Sequence, residues 1–130
     1  MKPELYAKRN MLKAGTNNYT YDDENQLVGV WVNNTWSNNF AYDGLMRKRI
    51  EKDYAWNGSS WTETNEVHFV YDGNLVIQER NANNLPTVTY TRGNDLSGTL
   101  QGAGGIGGLL ARMASGDKWR MTHQTWLLFA

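Results

Sequence analysis

Turn-forming clusters recur along this chain at intervals too short for alternating helices and strands. Asp22-Asp23-Glu24-Asn25, Asn33-Asn34, Asp43-Gly44, Asn57-Gly58, Asp72-Gly73-Asn74, residues 81–84 and Gly93-Asn94 begin 9 to 15 residues apart. Asn-Gly and Asp-Gly adopt positive φ at little cost, which tight hairpin turns require. Between the turns, β-branched and aromatic residues alternate: Val28, Val30 and Val32, then Ile50, Tyr54 and Trp56, then Val67, Phe69 and Tyr71. Period 2 with this spacing predicts an all-β antiparallel meander of about seven strands. Lys48, Arg49, Glu51, Asp53, Glu66 and His68 interrupt the apolar set, which predicts one wet face and one packed face.

A length of 130 residues accommodates one domain. Thirteen basic and 13 acidic residues cancel, removing the electrostatic case for nucleic acid or an anionic membrane surface. The absence of cysteine excludes disulfides and Cys-based zinc sites and leaves the compartment open. Residues 1–15 carry scattered charge and no apolar run of signal-peptide length. No segment approaches the roughly 20 apolar residues of a membrane-spanning helix.

Four segments share an internal pattern: Tyr19-Thr-Tyr21-Asp22, Phe40-Ala-Tyr42-Asp43-Gly44, Phe69-Val-Tyr71-Asp72-Gly73 and, more loosely, Thr89-Tyr90-Thr91-Arg92-Gly93-Asn94-Asp95-Leu96. Each unit has a physical logic. Alternate aromatics anchor the strand, Asp caps the turn with its carboxylate, and Gly or Asn takes the left-handed position before Leu re-enters the sheet. The pattern divides the chain into a poorly ordered segment 1–16, hairpin repeats 17–96, a glycine-rich reversal 97–111 and a divergent, poorly specified tail 112–130.

The unit resembles the YD repeat, aromatic-x-Tyr-Asp-x-x-Gly/Asn-x-Leu, of bacterial Rhs proteins, wall-associated proteins and animal teneurins. The resemblance covers roughly 17–111 and is most specific over residues 90–111, similar to the stretch leading into the Rhs repeat-associated core. It implies a fragment of a hollow β-shell, with Tyr21, Asp22, Tyr42, Asp43, Gly44, Tyr71, Asp72 and Gly73 as structural repeat residues. It further implies a non-catalytic role in enclosing or presenting an effector, or in cell-surface contact, and a secreted or cell-surface location. The family's aspartyl self-cleavage lies near Asp-Pro-x-Gly, and this chain has no Asp-Pro pair, so no catalytic residue and no cofactor is expected. Beyond Arg112 the family pattern stops. The expectation is a fragment or degenerate reading frame whose partners are the rest of a shell, or further copies joined through strand edges.

Sharper motifs lead to blander readings. Gly102-Ala-Gly104-Gly105-Ile-Gly107 satisfies the dinucleotide fingerprint, but no strand delivers it and no ribose-binding acid follows about 20 residues on. Asp22-Asp23-Glu24 lacks the glycine and distal Glu of a calcium loop and reads as a capped turn. His68 and His123 have no metal-pair spacing, and the Asn-x-Ser/Thr triplets at Asn18, Asn33 and Asn57 are as frequent as composition dictates. Trp31, Trp36, Trp56 and Trp61 flank two turns and are the candidate glycan contacts of the alternative reading, a small carbohydrate-binding module. Cross-strand packing is their simpler role.

Overall fold

A computed structural model describes residues 10–116 and the backbone of Arg120–Met121. The strands are β1 (Lys13–Ala14), β2 (Asn17–Tyr21), β3 (Leu27–Val32), β4 (Trp36–Tyr42), β5 (Lys48–Trp56), β6 (Trp61–Asp72), β7 (Leu75–Arg80), β8 (Pro86–Arg92), β9 (Leu109–Ala114) and β10 (Arg120–Met121). They are all-β and follow one another in chain order as an antiparallel meander. The chain divides into two compact units at Glu66/Val67, inside β6.

One loop recurs and sets the register. The Asp22 N–H donates to the Gln26 carbonyl at 3.0 Å and the Asn25 N–H to the Asp22 carbonyl at 3.2 Å. Asp22 Oδ1 accepts from the N–H groups of Glu24 and Gln26, both at 2.9 Å, and Asn25 is left-handed at φ 65°. Asp43 builds the same loop with the N–H groups of Leu45 and Arg47, and Asn81 with those of Asn83 and Leu85. This is a three-residue hairpin loop ending in a left-handed bulge residue. The register accordingly shifts just before Tyr21, Tyr42 and Arg80.

Two details differ from the sequence reading. At the second unit the left-handed residue is Met46 (φ 63°), not Gly44, because the loop requires that conformation three residues after its Asp. At the third unit Asp72 pairs with Leu75, leaving only Gly73 and Asn74 in the turn, with Gly73 at φ 57°.

The wet-face, packed-face alternation is also corrected. All of β5 except Ala55 is half-buried, on both faces, since neighbouring strands shield the side-chain flanks while neither face is buried. Gly29 is the one buried residue among the described residues up to Glu66. In the second unit the buried apolar residues are Leu75, Val88 and Ala111.

Segment boundaries shift as well. Lys13–Ala14 forms a strand within 1–16, and β9 crosses the 111/112 boundary because β8 offers it a ladder from Arg92↔Leu109 to Val88↔Ala114. Residues 1–9, 117–119 and 122–130, with His123 among them, lie outside the described residues.

If the recurring loop sets stability, Met46→Gly raises the stability read from urea unfolding by up to about 1 kcal/mol by relieving left-handed strain. Asn81→Ala lowers it by about 1–2 kcal/mol by removing the acceptor for two N–H groups.

Candidate functional site

Up to Glu66, the turns after Tyr21-Asp22 and Tyr42-Asp43 share one end of the meander strands and the tryptophan-flanked turns lie at the other; from Val67 onward, the turn after Tyr71-Asp72 and the long β8–β9 connection share one end. At the Tyr-Asp end a hydrogen bond links Tyr42, and likewise Arg92, to the hairpin before it. The Tyr42 hydroxyl donates to the Leu27 carbonyl at 2.8 Å, and Leu27 is the residue opposite Tyr21. In the second unit Arg92 Nε and Nη2 donate to the Val76 carbonyl at 3.3 and 3.1 Å, and Val76 is opposite Tyr71. Arg92, like Tyr42, follows a register shift. It therefore takes the tyrosine's place in the fourth unit, which the sequence pattern had aligned on Tyr90.

The glycine-rich connection is organised by the buried carboxylate of Asp95. Oδ1 accepts from the Ser97 N–H at 2.8 Å and hydroxyl at 2.6 Å, and Oδ2 from the N–H groups of Ala103 at 2.7 Å and Gly105 at 3.0 Å. The Asp95 N–H donates to the Thr99 carbonyl, the Gly98 N–H to the Asp95 carbonyl, and Gly98 is left-handed at φ 78°, so the backbone repeats the loop of Asp22. The Ser97 hydroxyl above all, with the backbone N–H groups, outweighs burial and lowers the Asp95 pKa to about 2. Arg47 does the same for Asp43 through Nε at 2.9 Å, holding its carboxyl below the usual value.

This connection is pinned to the third turn. Gln101 donates to the Asp72 carbonyl and accepts from the Asn74 N–H, both at 3.0 Å. A Cβ at Gly105 would lie 2.4 Å from Leu75 Cδ2, so glycine there lets the loop close over the buried leucine. The glycines of the dinucleotide-like motif thus serve close packing, and β9, not a helix, follows them.

At the tryptophan end, Trp31, Ser37 and Tyr54 share a face, with Trp56 two residues further on, while Trp36 pairs with Ala55 on the other. Trp56 and Trp61 meet edge-to-face, with centroids 5.3 Å apart and planes at 65°. The four tryptophans do not form one platform. Trp61 is 40% exposed.

A groove of about 550 Å³ in the second unit is lined by residues including Val70, Ile77, Gln78, Arg80, Tyr90 and Arg92. Its arginines are engaged within the chain, Arg80 by Gln78 and Asn84 and Arg92 by Val76. Among the described residues no group of three His, Cys, Asp or Glu side chains is placed to hold a metal. Asp22 of the acidic cluster spends Oδ1 on its own turn.

Sequence reasoning placed a turn at residues 81–84 but missed the capping role of Asn81, and it missed the roles of Asp95, Gln101 and Arg92. The Asx-x-x-Asn/Gly spacing shared by Asp22 and Asn25, Asn81 and Asn84, and Asp95 and Gly98 was the available signal for two of them.

Because the Asp95 pKa is lowered to about 2 from 3.8, its stabilising effect is complete above about pH 4 and is lost as pH falls through about 2. The Ala103 and Gly105 amide resonances should titrate in that window, and in Asp95→Asn they should not. No protein-family model and no curated protein sequence matches the chain.

Proposed function

We propose that the chain is a non-catalytic wall segment of a YD-type β-hairpin array, serving to enclose or present another polypeptide. The observation that supports this reading is the repeated link from Tyr42 to Leu27 and from Arg92 to Val76. Each joins one hairpin to the next at an equivalent register position, as stacked units require. Half-covered faces fit a sheet that borders a lumen, and the polar groups at the turns are spent on holding backbone. The partners of such a wall are further repeats of the same kind, reached through strand edges.

A carbohydrate-binding module is the second reading, favoured by the exposure of Trp61 beside Trp56. Light scattering after size exclusion and urea unfolding followed by circular dichroism separate the two. The wall reading predicts self-association or a broad transition, and a flat tryptophan-fluorescence titration across a panel of sugars. A monomer with one sharp transition, together with saturable quenching that Trp61→Ala abolishes, would overturn it.

A further inference from the structure

Three asparagine or aspartate residues of this chain precede a glycine: Asp43, Asn57 and Asp72. Glycine leaves its own backbone nitrogen unshielded by a side chain, so that nitrogen can attack the carbonyl carbon of the preceding side chain and close a five-membered ring. The structure separates the three positions. Arg47 holds the Asp43 carboxyl ionised, below its usual pKa, and a carboxylate accepts a nucleophile poorly. At Asp72 the Gln101 side chain lies over the turn, bonded to the Asp72 carbonyl and the Asn74 N–H, and a Cβ at Gly73 would be 2.5 Å from its Oε1. Asn57 and Gly58 are both exposed. Nothing outside the neighbouring residues comes within 4 Å of a Cβ built on Gly58, and the side chain before it is a neutral amide.

The β5–β6 turn also prepares that amide. Asn57 Oδ1 accepts from the N–H groups of Ser59 and Ser60, both at 2.9 Å, and from the Ser59 hydroxyl at 3.0 Å. Nδ2 donates to the hydroxyls of Ser60 at 3.1 Å and Thr62 at 3.4 Å. The bonds that close the turn use the N–H groups of Asn57, Ser59 and Ser60 and leave out that of Gly58. Three donors therefore converge on the oxygen that gains charge when the amide carbon is attacked, the arrangement that lowers the barrier to such an attack.

We propose that Asn57 is a self-modification site of the folded chain. The Gly58 nitrogen bonds to Asn57 Cγ, charge develops on Oδ1 against its three donors, the Cγ–Nδ2 bond breaks, and the Gly58 amide hydrogen leaves with Nδ2 as ammonia. The succinimide so formed takes up one water at either ring carbonyl, giving aspartate or isoaspartate at position 57. Isoaspartate adds one methylene to the main chain inside a turn closed by the Asn57 N–H on the Ser60 carbonyl at 3.1 Å. Trp56 and Trp61 end the two strands that this turn joins, and their rings meet at 5.3 Å, so the modification releases the tryptophan pair after a delay set by the chemistry. This inference is independent of both the wall and the carbohydrate readings.

Peptide mapping by mass spectrometry of the full chain, sampled during incubation in mildly alkaline buffer, reads every asparagine at once. Conversion at Asn57 should run about tenfold ahead of that at Asn33 and Asn83, which are exposed turn asparagines without a following glycine. It should be at least as fast in the native chain as in the same chain unfolded in urea, and isoaspartate at Asp43 and Asp72 should stay at background. Ser59→Ala, at an exposed position, should slow the conversion about threefold by removing one donor to Oδ1, and Asn57→Gln, whose longer side chain cannot close the same ring, should abolish it. The indole N–H resonances of Trp56 and Trp61 should shift with the same time course. Conversion spread evenly over the asparagines, a native rate below the rate in urea, or an undiminished rate in Ser59→Ala would overturn the proposal. Indole resonances that stay fixed as isoaspartate accumulates would overturn the link to the tryptophan pair.

Discussion

An antiparallel sheet holds its register only as firmly as its turns, because a slip of one residue sends every side chain to the opposite face. In this chain the turn is fixed by one side-chain oxygen. Oδ1 of Asp22, Asp43 or Asn81 takes the N–H groups two and four residues ahead, which closes the loop and forces a left-handed residue at its fourth position. The resulting bulge sets the following strand out of step, placing Tyr21 opposite Leu27 and Tyr42 opposite Lys48. The distribution of side chains between the faces follows from that offset.

The meander and the Asp22 loop were legible because their determinants are local: period-2 alternation and residues that tolerate positive φ. Gly44 was a natural choice for the left-handed position, yet the loop places that demand on Met46, where the sequence carries no glycine to advertise it. At Asp95 the spacing to Gly98 marks the local loop, but the rest of its role was illegible for a different reason. Two of its donors, Ala103 and Gly105, lie 8 and 10 residues away, and no short pattern encodes that convergence. Leu109–Ala114 has little strand propensity of its own and is a strand because β8 supplies the ladder.

The two units use their side chains differently. Up to Glu66, ion pairs and polar contacts cross the strands: Lys52 joins Glu66 at 2.7 Å and Glu63 at 3.4 Å, and Asn38 joins its register partner Asp53. From Val67 onward, Leu75, Val88 and Ala111 are buried and the glycine-rich connection closes over the first of them. Glycine matters there because it removes side chains from the path of a packed leucine, giving the second unit a small interior that a bare sheet layer lacks.

Arg92 carries a consequence for how such units are recognised. It does with a guanidinium what Tyr42 does with a phenol, donating a hydrogen bond to a carbonyl across from the preceding anchor. The two share no shape and no charge, only a donor at similar reach from a bulged strand. Compared letter by letter, the segment around Arg92 does not match the one around Tyr42. Compared by donor, acceptor and offset the two agree, so a change of residue type can leave the same strand-to-strand contact in place.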